Sequence, residues 1–309
     1  MHMKPLHIET PFFESRALSI GAGRTIWLKL EALQPPGSFK IRGIGLACQE
    51  YVRRGAERFI SSSGGNAGIA VAYAGRQLSV PVIVVVPETT TDRAKALIQQ
   101  EGAEVIVHGA SWREANELAL SMVGESDAFL HPFDDPLVWQ GHASLVDEVV
   151  RSGVKPDVVV LSVGGGGLLS GVVEGLHRNG WTDVPVIAVE TEGADSLAQS
   201  IREGYRVELP AITSIATSLG ATQICEQAFS WSVKHPIRSI VVSDRAAVSA
   251  CQRFIVDQRV VVEPACGASL AVVYDVAPEL EQFKSVLVVV CGGVTTSVEK
   301  LGEWSNEFA

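Results

Sequence analysis

The 309-residue chain has only five cysteines (Cys48, Cys225, Cys251, Cys266 and Cys291), scattered and with no C-x-x-C pair. That spacing excludes a disulfide framework or a zinc site and fits reduced thiols in the cytoplasm. Basic residues are sparse too. Twenty-five Lys and Arg against 35 Asp and Glu leave a net charge of −10 with no Lys/Arg block, which argues against nucleic acid as a partner. Long apolar runs are missing: Val80–Val86, broken by Pro81, is strand-length and far too short to cross a bilayer. No N-terminal stretch joins basic residues to an apolar core as a secretory leader would. Neither G-x-x-x-x-G-K-[ST] nor H-E-x-x-H occurs. His108, His131 and His142 lack metal-ligand spacing and read as structural histidines.

Hydrophobic residues, by contrast, are plentiful at 47%, enough for a large buried core. Short β-branched runs alternate with helical patterns. Strands are expected at Thr25–Leu30, Arg58–Ser62, Val82–Val86, Glu104–Val107, Asp157–Val163, Val186–Glu190, Ser239–Ser243 and Ser285–Val290. Helices are expected at Asn66–Gln77, Asp92–Glu101, Trp112–Val123, Pro136–Val150 and Arg245–Val256. Several strands are apolar without alternation, as when helices cover both faces of a sheet. The rhythm implies an α/β fold of mostly parallel sheets. From about Gly45 to Pro132 it reads as four strand–helix units, interrupted by Pro132-Phe-Asp-Asp-Pro136. This suits a small domain (45–132) inserted into a larger one (1–44 and 133–309).

Four Gly-rich or punctuated segments stand at strand ends, where open α/β sheets place ligands: Pro36–Gly43, Ser61–Gly68, Ser162–Leu168 and Cys291–Val294. In the third, four glycines separate a strand from a helix, so backbone N–H groups and the helix dipole converge as for an anion such as phosphate. A dinucleotide reading competes there, since Gly165-x-Gly167 opens the helix and Glu190 ends the next strand. It fails at Ser170, which holds the third fingerprint position, and leaves the other segments unexplained. Lys40 begins a helix after a turn, against the macrodipole. Desolvation there would lower its pKa as a Schiff-base lysine requires. Ser269, in Gly267-Ala-Ser-Leu-Ala271, lacks the context of a nucleophile elbow and reads as core packing.

Taken together, Gly37–Gly43 (GSFKIRG), Ser62–Gly68 (SSGGNAG), His131–Pro136 (HPFDDP), Val262–Ala268 (VEPACGA) and Cys291-Gly-Gly293 resemble the pyridoxal-phosphate (PLP) enzymes of fold type II. Within them the chain looks most like the short liver-type L-serine/L-threonine dehydratases, from about Leu28 to Leu301. The resemblance implies two open, twisted, mostly parallel sheets flanked by helices. It makes Lys40 the lysine that carries PLP and the general base, with Phe39 beside it. Gly164, Gly165, Gly166, Gly167 and Leu168 would bind the phosphate, Asn66 the ring hydroxyl, and Cys291 would face the pyridine nitrogen. Phe133 would lie along the ring, while Ser63, Gly64 and Asn66 would hold the substrate.

The same resemblance implies K⁺ held by Gly164, Glu190, Ala194, Leu219 and Ala221, a homodimer, and deamination of serine to pyruvate and ammonia with weaker activity on threonine. A neutral thiol at the ring nitrogen favours β-elimination over transamination, because the ring is then a weaker electron sink. Liver enzymes often have alanine at the Gly64 position, so glycine leaves Ser/Thr preference open. The chain also ends too soon after Cys291 for a regulatory domain like that of biosynthetic threonine dehydratases. Rival readings are a sister PLP reaction (threonine dehydratase or serine racemase), a catalytically silent PLP-binding protein, and a dinucleotide oxidoreductase.

Overall fold

A computed structural model describes residues 3–308. Its strands are β1 (Phe12–Glu14), β2 (Thr25–Lys29), β3 (Arg58–Ser61), β4 (Val82–Val86), β5 (Glu104–Val107), β6 (Asp127–Phe129), β7 (Val158–Ser162), β8 (Val186–Thr191), β9 (Ile237–Val242) and β10 (Ser285–Val289). Helices α1 (Arg16–Ala22), α2 (Lys40–Arg53), α3 (Asn66–Leu78), α4 (Asp92–Gln100), α5 (Trp112–Ser121) and α6 (Pro136–Arg151) alternate with the first strands. The later helices are α7 (Gly167–Arg178), α8 (Ser196–Glu203), α9 (Glu226–Lys234), α10 (Asp244–Gln258), α11 (Pro264–Tyr274) and α12 (Val298–Glu307).

The strands form two sheets. One runs β1-β2-β10-β7-β8-β9, the other β5-β4-β3-β6. All pairings are parallel except the edge pair β1–β2. Val82–Val86 and Val158–Ser162 are buried along their whole lengths, which is why their sequences show no alternation. The four-stranded sheet comes wholly from the chain between β2 and β7 and packs on its own apolar cluster with α2 and α3. Among the described residues no helix is long and apolar enough to cross a membrane.

The expected α/β architecture of two mostly parallel sheets is what the chain adopts. Differences concern short or featureless elements. β1 and β6, three residues each, offer too little sequence for a period to show. β9 starts two residues before the expected Ser239. The 45–132 segment holds four strands but only three complete helices between them. α11 escaped detection because Pro264 through Val273 are all buried, and a helix apolar all round has no amphipathic stripe. Ser269 lies inside α11, fully buried, and its hydroxyl donates to the Cys266 carbonyl at 3.0 Å. It is a core residue, as expected.

A buried ion cluster anchors the helix that starts at Lys40. The Arg42 guanidinium, with no exposed surface, donates to both oxygens of Glu31 (2.6 and 2.8 Å) and both of Glu148 (2.6 and 2.7 Å). Lys29 completes the cluster through Glu148 and the Thr10 carbonyl. Two cations face two anions, so the first turn of α2 is tied to β2, to the Glu31 turn and to α6 without net buried charge.

Candidate active site

Lys40 follows a turn in which Gly37 takes φ +79° and Phe39 N–H donates to the Cys291 carbonyl at 3.1 Å. Gly293 N–H donates to the Gly37 carbonyl at 2.9 Å, and Ser38 bridges to Gly292. Segments separated by some 250 positions thus form a short antiparallel ladder. Gly292 (φ +95°) and Gly293 (φ +115°) occupy backbone regions that only glycine adopts without strain. The Lys40 amine donates to the Pro132 carbonyl at 2.7 Å and lies 5.3 Å from the Phe39 ring centroid. Burial lowers its pKa to about 8, against the opposing pull of Cys291 and Glu263. A substantial neutral fraction therefore exists near neutrality, as a nucleophile or base requires.

Two further helices open nearby with glycine where a capping side chain normally sits. Gly166, the N-cap of α7, has φ +92°, and neither it nor Gly65, the N-cap of α3, offers a side-chain cap. The first-turn N–H groups of a helix have no partner within it, so each of these ends presents donors to an anion. Gly164, Gly165 and Gly167 are held close by neighbours. A side chain at Gly165 would run into the Phe133 ring, one at Gly167 would meet the Phe133 carbonyl at 2.8 Å, and one at Gly164 would meet Leu219. Leu168, the next residue, is buried.

Phe133 packs over the glycine loop, its ring 4.7 Å from that of His131 and its carbonyl accepting from Trp139 Nε1 at 2.7 Å. His131 itself accepts from Asp134 N–H at 2.8 Å through Nδ1 and stabilises this turn. Cys291 is buried beside Cys266. That hydrogen-bonded neighbour, with burial, holds the Cys291 thiol well above the usual thiol range, so it stays protonated. All five cysteines are unpaired and buried.

In the substrate loop, Ser63 Oγ accepts from Gly65 N–H at 3.4 Å. A methyl added at Gly64 would fall 2.5 Å from Thr90 Oγ1 and 2.7 Å from its Cγ2. Thr90 therefore already occupies the space next to Gly64. Asn66, nearly buried, donates to Glu263 Oε1 at 2.7 Å and to Ser218 Oγ at 3.3 Å.

Of the expected cation ligands, Glu190 is fully buried, and both its oxygens accept helix-end amides, from Leu197 (2.8 Å) and Ala198 (2.7 Å). It is thus at least a side-chain cap of α8, and burial pushes its pKa up to about 8 against those two backbone bonds. Ala194 lies in the same β8–α8 turn, its N–H bonded to Thr191 O at 2.9 Å. Gly164 abuts Leu219, whose carbonyl accepts from Ala221 N–H at 2.8 Å.

Glu263, Ser218, Thr295, Thr90 and the Pro132 carbonyl escaped the sequence reading. Only Glu263 carried a signal: a lone acid in the apolar stretch Val260–Ala265, where an unpaired carboxylate would be costly.

Comparison with known proteins agrees with this geometry. Residues 3–292 match the family model described as pyridoxal-phosphate dependent enzyme. The L-serine dehydratase/L-threonine deaminase of Bos taurus is 47% identical over 312 residues, covering 97% of this chain and 95% of its own. The L-serine dehydratase of Dictyostelium discoideum is 43% identical, with 97% and 91% covered. A crystal structure of a fungal L-serine ammonia-lyase from Rhizomucor miehei superposes with a TM-score of 0.93 at 35% identity, over 99% of this chain and 100% of that one. Maize serine racemase superposes at 0.85 with 25% identity, over 98% and 93%. With Lys40 electrostatically close to the buried Cys291 thiol, and with the family model and these relatives spanning nearly its full length, the chain belongs to the pyridoxal-phosphate dependent enzymes.

Proposed function

We propose that this chain is an L-serine ammonia-lyase, converting serine to pyruvate and ammonia and acting more weakly on threonine. The observation that carries the reading is the Lys40 amine held on the Pro132 carbonyl with its pKa lowered by burial near Cys291, in a chain whose helices α3 and α7 both open without a side-chain cap. The residues fit pyridoxal phosphate. The α7 end and Gly164–Leu168 would hold the phosphate, Asn66 the ring hydroxyl, Phe133 and Phe39 the ring's surroundings, and Cys291 the ring nitrogen. When bound, the cofactor supplies an aldehyde that joins amines and a ring that draws electrons from the amino acid's α-carbon.

The chain's own groups do the rest. The bare α3 end with Ser63 and Gly64 orients the serine carboxylate. Lys40, once neutral, takes the α-proton. The protonated Cys291 thiol lends no full positive charge to the ring, which favours loss of the β-hydroxyl over transamination. Segment 45–132, as a small domain against 1–44 and 133–309, a cytoplasmic location and a homodimer complete this reading.

Incubation with each amino acid tests the assignment. One methyl is worth about 1–3 kcal/mol, or roughly 10–200-fold. Thr90 fills part of the room left beside Gly64, so serine should exceed threonine by about tenfold or more in kcat/KM. Thr90→Ala should narrow that margin. Higher kcat/KM for threonine in the wild type would replace serine by threonine as the substrate.

K⁺ is part of the same proposal. The Glu190 carboxylate with the carbonyls of Gly164, Ala194, Leu219 and Ala221 would make an oxygen-only site suited to a large hard cation, and Glu190 is fully buried. Exchanging sodium for potassium should raise the rate, and Glu190→Gln should abolish the response. Equal rates in both salts would remove the cation and leave the elimination reading intact.

A further inference from the structure

We propose that Glu263 is a positioning residue that orients Asn66 toward the cofactor. The inference rests on the reading above, in which Asn66 meets the cofactor ring, and adds a role for a residue outside that set. Asn66 opens α3 on the four-stranded sheet, whereas Glu263 precedes α11 in the larger core. One carboxylate oxygen accepts from Asn66 Nδ2 at 2.7 Å, and the other accepts from Thr295 Oγ1 at 2.7 Å. Thr295 lies just beyond the glycine pair, where a side chain at Gly293 would run into the Glu263 carboxyl. The Val294 N–H donates to Asn66 Oδ1 at 3.3 Å. The Asn66 amide oxygen is therefore held by the segment that carries Cys291, and its nitrogen by Glu263, which Thr295 of that segment also binds.

The two Asn66 donors are not equivalent. The short bond goes to a 4%-exposed carboxyl, and the longer one, at 3.3 Å, goes to the exposed hydroxyl of Ser218. A short bond to a buried acceptor outlasts a long one to an exposed hydroxyl. Glu263 thus keeps its hold on one Nδ2 hydrogen while the other turns to a ligand. Reach, rather than charge, is what this role requires. Gln preserves the reach and Asp does not.

The test is pyridoxal phosphate affinity, followed by the visible band of the bound cofactor as it is titrated into the cofactor-stripped full chain. Glu263→Asp should weaken binding about tenfold or more, equivalent to about 1.4 kcal/mol, and Glu263→Gln should cost clearly less. In an Asn66→Ala background, Glu263→Asp should add less than about twofold, because coupled residues are not additive. Equal losses for Asp and Gln, or a full additional loss in the Asn66→Ala background, would overturn the proposal. Should Glu263→Asp not fold, Thr295→Val, which frees the outer carboxylate oxygen, takes its place in the Asn66→Ala cycle, where a full additional loss would again overturn the proposal. A wild-type chain that takes up no cofactor would instead overturn the reading of the site itself.

Discussion

Lys40→Ala is expected to abolish pyruvate formation from serine, by at least about 10⁴-fold, the upper range for a single acid–base group. The loss should reach this far because one amine serves both as covalent anchor and as base. The visible band of lysine-bound cofactor should vanish as well. Lys40→Arg should be nearly as inactive although it keeps the charge, because a guanidinium cannot deprotonate in a protein. That contrast isolates the neutral amine as the working form. Burial brings Lys40 to a pKa of about 8, so near pH 8 roughly half of the amines are neutral. For an unperturbed lysine the fraction would be on the order of one in a few hundred. Capture of the cofactor by the stripped chain should therefore quicken as pH rises toward 8 and level off above it. Pyruvate formation by Lys40→Ala at a rate near wild type would rule out the assignment.

Arg42→Met should destabilise the fold by about 3–5 kcal/mol, as when one partner of a buried ion pair is removed. The substitution leaves the Glu31 and Glu148 carboxylates, which Arg42 joins through four hydrogen bonds, with Lys29 as their one remaining cation in the cluster. Neither carboxylate has much access to water. Arg42→Lys should recover only part of the loss, since an ammonium cannot form two bidentate contacts. Arg53→Ala provides the control on the same helix. Its partner Glu50 is bound across an exposed surface, where solvent screening leaves an ion pair little effect on stability. Denaturant midpoints of the three variants decide the matter, and a near-wild-type midpoint for Arg42→Met would show that the cluster adds little.

Much of the architecture was legible along the chain because its signals are local. The valine runs of β4, β7 and β10 announce buried strands. The glycines before α3 and α7, and the lysine opening α2, mark three segments at strand ends. Pro136 follows Asp135, whose side chain caps α6 through Leu137 N–H. Each of these depends on a few consecutive residues and on what the backbone permits them. A helix buried on every side, such as α11, lies outside that reach, as do three-residue strands whose pairing alone defines them.

What the sequence by itself determined is therefore the fold class and the residue types of the proposed site: an α/β chain with Lys40, Asn66, Cys291 and a four-glycine loop in its glycine-punctuated segments. The tertiary structure alone decided which of these groups meet and what surrounds them. It set Phe39 against Cys291, Lys40 on the Pro132 carbonyl, Thr90 beside Gly64, and Glu263 on Asn66. Such contacts join positions from 26 to about 250 residues apart. The physical reason is that a hydrogen bond or a lowered pKa depends on distance and on exclusion of water, and both are set only when the two sheets and their helices have packed.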